Sequence, residues 1–165
     1  MATYYSTKKY GNDKGLSCCF RQWRATHSHC SLMHGYSLGI KLKFASDTLD
    51  DRNWVMDFGG LKIFKAWADS MFDHTTIIAQ DDPLLNTFEM LNGVEGGYQN
   101  MGIIDLRIVE GVGCEMFAKI VYEKMAEILE ELKLANNGRY PVGDTVRLVS
   151  AEVFEHDANS AIYEG

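Results

Sequence analysis

The chain has 165 residues, of which 46% are hydrophobic and 24% charged, and its formal net charge is −7. This length and composition are typical of one ordinary globular domain. The acidic charge argues against nucleic acid as a partner, because phosphate binding requires a basic surface. No apolar run approaches the roughly 20 residues that span a bilayer, and no signal peptide opens the chain. We therefore expect a cytoplasmic protein with reduced thiols and no membrane association.

The first part of the chain predicts a loose lead-in followed by two strands. Residues 1–14 are polar and interrupted by glycine, and we expect them to be flexible, with one folded domain over residues 15–165. Residues 16–26 lack helical spacing and fit a strand that ends at His27. Apolar residues alternate with others over residues 36–44, which is the pattern of a sheet covered on one face. A short connection joins the two strands, so we expect an antiparallel hairpin.

The later part of the chain predicts two long helices and several shorter elements. Apolar residues recur at three- and four-residue steps over residues 58–71 and 115–134, which indicates amphipathic helices. Asn136-Asn137-Gly138 is expected to stop the second helix. The shorter elements are a helix at 83–91, a glycine-rich turn at 92–102 and strands at 103–109, 145–155 and 160–163. This order favours an α+β fold with helices on one face of an antiparallel sheet.

Three of the five histidines lie close together, beside one of the four cysteines. They are His27, His29 and His34, and the cysteine is Cys30. Imidazole and thiolate groups are well suited to holding zinc near neutral pH, and each can also carry a proton or attack as a nucleophile. The sequence therefore predicts a chemical site just before the second strand.

Six separated segments of the chain match one pattern in the same order. They are Trp23-Arg24-Ala25-Thr26-His27, Cys30-x-x-x-His34-Gly35-Tyr36, Val55-Met56-Asp57-Phe58-x-x-Leu61-Lys62, Phe72-Asp73-His74, Gly113-Cys114-Glu115-x-x-Ala118, and Val153-x-Glu155 with Ile162-Tyr163. The pattern resembles that of the 6-pyruvoyl-tetrahydropterin synthase and 6-carboxytetrahydropterin synthase family. The resemblance implies a tunnelling fold, in which two helices pack on one face of an antiparallel four-stranded sheet. It also implies homo-oligomers, trimers or hexamers, with active sites between subunits.

The same resemblance implies a zinc-dependent lyase whose pterin substrate is 7,8-dihydroneopterin triphosphate. In the family three histidines hold Zn²⁺, and His27 and His34 stand at two of these ligand positions. Tyr36 stands at the third position, where a phenol is a poorer ligand than imidazole. His29 is the alternative third ligand, because it lies on the short loop between the other positions.

The resemblance also assigns the remaining site residues. Cys30 takes the position of the catalytic base, and Asp73 with His74 takes that of the pair that assists proton transfer. Glu155 takes the position of the carboxylate that accepts two hydrogen bonds from the pterin ring. Glu115 either contacts the substrate or stabilises the first turn of its helix. The structural alternatives are a buried apolar cysteine and solvated polar side chains.

We expect the product to be 6-carboxy-5,6,7,8-tetrahydropterin, a precursor in the queuosine (7-deazaguanine) pathway. Two alternatives remain open at this point. One is 6-pyruvoyl-tetrahydropterin synthase activity with an altered metal site, and the other is a non-catalytic pterin- or purine-binding protein.

Overall fold

Two four-stranded sheets and three α-helices make up the part of the chain that the computed structural model describes, residues 2–93, 102–135 and 138–165. The strands are β1 (Tyr4–Tyr10), β2 (Ser17–Phe20), β3 (His34–Ser37), β4 (Gly39–Ser46), β5 (Thr75–Ala79), β6 (Leu106–Val109), β7 (Arg147–His156) and β8 (Asn159–Glu164). The helices are α1 (Lys62–Phe72), α2 (Leu85–Leu91) and α3 (Cys114–Ala135). The chain is thus α+β, as the sequence predicts.

The larger sheet is antiparallel throughout and has the strand order β1-β4-β7-β8. In β4 the side chains of Ile40, Leu42 and Phe44 are fully buried, because they alternate onto the face that the helices cover. Helix α3 packs across β7 and β8, and α1 contacts α3. Phe64 of α1 and Phe117 of α3 join these β4 residues in one hydrophobic core. The two long helices therefore lie on one face of the sheet, as expected.

The smaller sheet has the order β3-β2-β5-β6 and positions the predicted site. β2 and β3 form the expected antiparallel hairpin, in which Cys18 faces Tyr36 and Phe20 faces His34. β5 pairs parallel with both β2 and β6. The sequence did not predict β5, since all five of its residues are buried and give no alternation.

The strand predicted over residues 36–44 is in fact two strands in different sheets. β3 ends at Ser37 and β4 begins at Gly39, with the fully buried Leu38 between them. The amide of Leu38 donates to the carbonyl of Leu16 at 3.1 Å. The strand predicted over residues 16–26 is also too long, since β2 stops at Phe20 and a turn-rich loop follows.

The prediction of a flexible lead-in over residues 1–14 is wrong for Tyr4–Tyr10. All seven residues of this segment, β1, pair with β4 at one edge of the larger sheet. Its sequence shows no apolar alternation, because Ser6 and Lys8 take inward positions that apolar residues usually fill. The local sequence pattern therefore does not predict β1.

The remaining elements follow the predictions closely. α2 and β6 lie within the expected segments 83–91 and 103–109, and β7 and β8 match the two late strands. Most of the predicted glycine-rich turn at 92–102, and Asn136 with Asn137, lie outside the described residues. No described helix is both long and apolar enough to cross a membrane.

Candidate functional site

The loop between β2 and β3 is anchored at both ends. Arg21 donates from Nε and Nη2 to the two carboxylate oxygens of Asp82, at 2.9 and 2.6 Å. The amide of Gln22 donates to the carbonyl of Cys30 at 2.8 Å, which closes the loop on itself. Trp23 and Arg24 both donate to the carboxylate of Asp81, at 3.1 and 2.9 Å. The loop therefore has a defined path although it contains no strand or α-helix.

The histidines of this loop face solvent. His27 and His29 are exposed, whereas Cys30 is half-buried. Ser28 caps the short 3₁₀ turn His29–Ser31 by accepting a hydrogen bond from the amide of Cys30 at 3.1 Å. The turn thus fixes the backbone next to Cys30.

The predicted ligand His34 is hydrogen-bonded at both ring nitrogens. Its Nδ1 lies 2.8 Å from the carbonyl of Leu32, and a carbonyl only accepts, so Nδ1 carries the proton. In the neutral ring the lone pair is then on Nε2, which accepts a hydrogen bond from the hydroxyl of Tyr36. Burial, with a further contribution from the charge of Glu155, raises the pKa of Tyr36 to about 12, so the phenol keeps its proton near neutral pH.

A cavity of about 490 Å³ opens beside this pair. Tyr36 and Phe20 line it and stack on each other, with ring centroids 4.2 Å apart and planes 14° apart. The cavity is also lined by both carboxylates that the sequence predicts to bind substrate, Glu115 and Glu155. Glu115 lies in the first turn of α3, just after Gly113, whose φ of 115° is a conformation that favours glycine.

Glu155 reaches the cavity from a β-bulge. Phe154 faces Ser160 and His156 faces Asn159, so Glu155 has no residue opposite it on β8. A bulge of this kind redirects one side chain out of the alternation of its strand. The resemblance identified Glu155, but the bulge that orients it was not visible in the sequence.

Asn12 connects the bulge to the strand that carries Tyr36, and the sequence did not single it out. Its Nδ2 donates to the carbonyl of Ser37 at 2.8 Å and lies 3.2 and 3.4 Å from those of Phe154 and Glu155. The hydroxyl of Ser37 donates back to the carbonyl of Asn12 at 2.5 Å. Asn12 therefore holds two walls of the cavity together. Its position in a polar, glycine-containing segment gave no signal of this contact.

Asp73 and His74 do not line this cavity. Their side chains pair at 3.1 Å between Oδ1 and Nδ1, and the amide of Ser17 also donates to Oδ1 at 3.2 Å. Burial raises the pKa of Asp73, but the hydrogen bonds from His74 and Ser17 outweigh it, so this pKa lies below its usual range. His74 has a φ of 56° and its side chain is 86% exposed, so it faces solvent.

The residues predicted to hold zinc do not fit that role in this structure. Within residues 2–93, 102–135 and 138–165, no group of three His, Cys, Asp or Glu side chains is arranged to hold a metal ion. His27 and His29 are exposed on the loop, and the free nitrogen of His34 is taken by Tyr36. A protein zinc site needs at least three converging ligands. The predicted His and Cys donors are close in sequence but form no such group.

Residues 12–165 match the family model described as 6-pyruvoyl tetrahydropterin synthase. A 6-carboxy-5,6,7,8-tetrahydropterin synthase of Aquifex aeolicus is 27% identical over 135 residues, which cover 82% of this chain and 75% of that protein. The protein of the same name from Rickettsia felis is 37% identical over 54 residues, 32% of this chain. The match spans 39% of the length of the Rickettsia protein.

Solved structures share the fold over nearly the whole chain. An uncharacterized protein from Wolinella succinogenes superposes with a TM-score of 0.75 at 20% identity, covering 100% of this chain and 99% of that one. The 6-pyruvoyl tetrahydropterin synthase of Plasmodium falciparum gives a TM-score of 0.63 at 14% identity with the same coverage. These likenesses confirm the expected tunnelling fold.

Proposed function

The chain belongs to the 6-pyruvoyl tetrahydropterin synthase family, and we propose that it is a lyase that acts on a pterin in the cavity beside Tyr36. The substrate we propose is 7,8-dihydroneopterin triphosphate, and the product is 6-carboxy-5,6,7,8-tetrahydropterin. The single observation that carries the proposal is the placement of Glu155, which a bulge directs into a cavity walled by two stacked aromatic rings.

The cavity suits a flat, nitrogen-rich ring. Its volume of about 490 Å³ is within the range of small-molecule sites. The carboxylate of Glu155 can accept two parallel hydrogen bonds from the 2-amino group and the adjacent ring N–H of a pterin. Glu115 offers further acceptor oxygens at the same cavity. The aromatic rings of Phe20 and Tyr36 supply apolar surface, so recognition combines an apolar wall with a hydrogen-bonding edge.

In this proposal the proton transfers belong to Cys30, Asp73 and His74. Cys30 is assigned the role of base from its family position, and it is half-buried on the loop between β2 and β3. His74 carries the second proton and Asp73 orients it through the 3.1 Å contact. No step is assigned to the predicted zinc ion, because the described residues contain no group of three His, Cys, Asp or Glu side chains that could hold it.

The proposed active unit is a homo-oligomer, a trimer or a hexamer. β1 and β8 are the two edges of the larger sheet in the described residues, and edge pairing between copies would close that sheet into a barrel. His74 and Asp73 do not line the cavity of their own chain, and His74 is exposed, so we infer that they serve the cavity of a neighbouring subunit. The four free thiols are consistent with the cytoplasmic location that we propose.

The product choice follows the names of the curated relatives, which are called 6-carboxy-5,6,7,8-tetrahydropterin synthases. The same chemistry would place the protein in the queuosine pathway. A non-catalytic pterin- or purine-binding protein is the second candidate, and the observation that favours it is the lack of converging metal ligands among the described residues.

Mass spectrometry of the product formed from dihydroneopterin triphosphate tests the proposal. We expect 6-carboxytetrahydropterin from the native chain, and loss of that product in Cys30→Ala. Cys19→Ala is the matched control, because Cys19 lies on β2, outside the loop that carries Cys30, and its thiol contacts the hydroxyl of Thr76 at 3.3 Å. A 6-pyruvoyl product would show that the chain catalyses the 6-pyruvoyl-tetrahydropterin synthase reaction instead. Unchanged substrate with retained pterin binding would establish the non-catalytic candidate.

A further inference from the structure

We propose that the Tyr36 hydroxyl, rather than a metal ion, permanently occupies the Nε2 of His34. The two side chains then form a metal-free polar pair, of which Tyr36 lines the cavity. This inference concerns the chain's own residues and does not depend on the proposed reaction.

The ring of His34 has the orientation that is usual for a metal ligand. A ligating histidine usually donates its second ring N–H to a backbone carbonyl or a carboxylate, which directs the other nitrogen at the metal. His34 makes this contact, since its Nδ1 lies 2.8 Å from the carbonyl of Leu32. The nitrogen so directed meets the hydroxyl of Tyr36. Tyr36 therefore fills the position that a metal would otherwise take.

The backbone and a neighbouring ring hold Tyr36 in this position. His34 and Tyr36 are two residues apart on β3, so both side chains leave the strand on the same face. Their ring centroids lie 4.6 Å apart. The ring of Tyr36 also stacks on that of Phe20, with ring centroids 4.2 Å apart. Moving the hydroxyl away from His34 would require the ring to leave this stack, so a metal ion would compete with both contacts.

The other candidate ligands give a metal no compensating support. His27 and His29 are exposed, and the loop that carries them is fixed by the hydrogen bond between Gln22 and Cys30. A metal that displaced Tyr36 would gain one nitrogen, whereas a stable zinc site needs three or four ligands.

Nitrogen-15 NMR of the His34 ring, recorded during titration with zinc, tests the inference in the full-length protein. We expect the native Nε2 to have the shift of an unprotonated, hydrogen-bonded nitrogen and not to move at zinc concentrations equal to the protein. In Tyr36→Phe the resonance of the freed Nε2 should shift downfield. The apparent zinc affinity of this nitrogen should rise about tenfold, as expected for the loss of one competing hydrogen bond.

A control variant and a second measurement make the outcome decisive. Tyr163→Phe removes a hydroxyl from a half-buried tyrosine that packs on Tyr122, and it should leave the His34 signals unchanged. Zinc content of the dialysed protein provides the second measurement, in native protein and in His34→Ala. One retained zinc per chain that His34→Ala abolishes would overturn the inference, as would a native His34 signal that shifts with stoichiometric zinc. Failure of the pterin reaction would not produce either result.

Discussion

Replacing Asp82 with alanine tests how strongly the site loop is anchored. The Asp82 side chain is 1% exposed, and it accepts from Arg21 at 2.9 and 2.6 Å and from the amide of Leu84 at 2.8 Å. The substitution leaves the Arg21 guanidinium, which is 18% exposed, without its counter-charge. Removing one partner of a buried ion pair costs about 3–5 kcal/mol. Because Arg21 keeps some contact with water, we expect the free energy of unfolding to fall by about 3 kcal/mol.

Urea denaturation provides the assay, and the neighbouring residue provides a matched control. With a slope of about 2 kcal/mol per molar urea, the midpoint should fall by about 1.5 M. Asp81 also pairs with an arginine, Arg24 at 2.9 Å, but both side chains are exposed. Asp81→Ala should therefore change the midpoint little. If the two substitutions lower the midpoint equally, the anchoring role of Asp82 is refuted.

The stability that is lost in Asp82→Ala should depend on pH in a defined direction. Burial raises the pKa of Asp82, but the hydrogen bonds from Arg21 and the Leu84 amide outweigh it, so the folded-state pKa lies below the ordinary value. A group with a lowered folded-state pKa stabilises the fold above its unfolded pKa, and loses this effect as the pH falls through the folded-state pKa. The difference between native protein and Asp82→Ala should therefore shrink as the pH falls below about 4. A difference that grows in acid would contradict this assignment.

Three further outcomes follow from the site and the core. Glu155→Gln should weaken pterin binding about 10- to 100-fold, because a hydrogen bond to a charged group is lost. Calorimetry measures the affinity, and Glu152→Gln is the control, since Glu152 lies on the same strand but does not line the cavity. Equal losses of affinity in the two variants would contradict the role of Glu155. Cys114 should resist iodoacetamide at pH 8, since burial, followed by the charges of Glu155 and Glu115, raises its pKa to about 11; rapid labelling detected by mass spectrometry would count against this. Phe117→Ala should cost about 3–5 kcal/mol of unfolding free energy in the same urea assay, because this side chain is fully buried, and a loss below 1 kcal/mol would be inconsistent with a core position.

The fold could be predicted where the sequence repeats with one clear period. Both long helices and the two late strands show such a period, and the structure places them as expected. The break at Leu38 could not be predicted, because β3 and β4 continue one alternation while they enter different sheets. β5 lacks alternation because both of its faces are buried. In each missed case tertiary packing, rather than local pattern, determines the structure.

The site could be predicted as a set of residues but not as an arrangement. Tyr36, Glu115 and Glu155 line one cavity, and only their family positions had indicated this. His34 and Tyr36 stand at two predicted ligand positions, but the structure pairs them with each other. The contacts of Asn12 join segments far apart in sequence, so no local pattern could reveal them.

The composition of the cavity links ligand binding to the folding of the whole chain. Its walls come from β2, β3, the start of α3 and the β7–β8 turn, which are separated by most of the sequence. A partly folded chain that lacks its C-terminal hairpin consequently has no binding site, and any ligand of the cavity binds the native state alone. Such a ligand adds about 2.7 kcal/mol of stability at one hundred times its dissociation constant. Melting temperature should therefore rise by several degrees with a true ligand, which gives a direct way to rank pterins and purines without an activity assay.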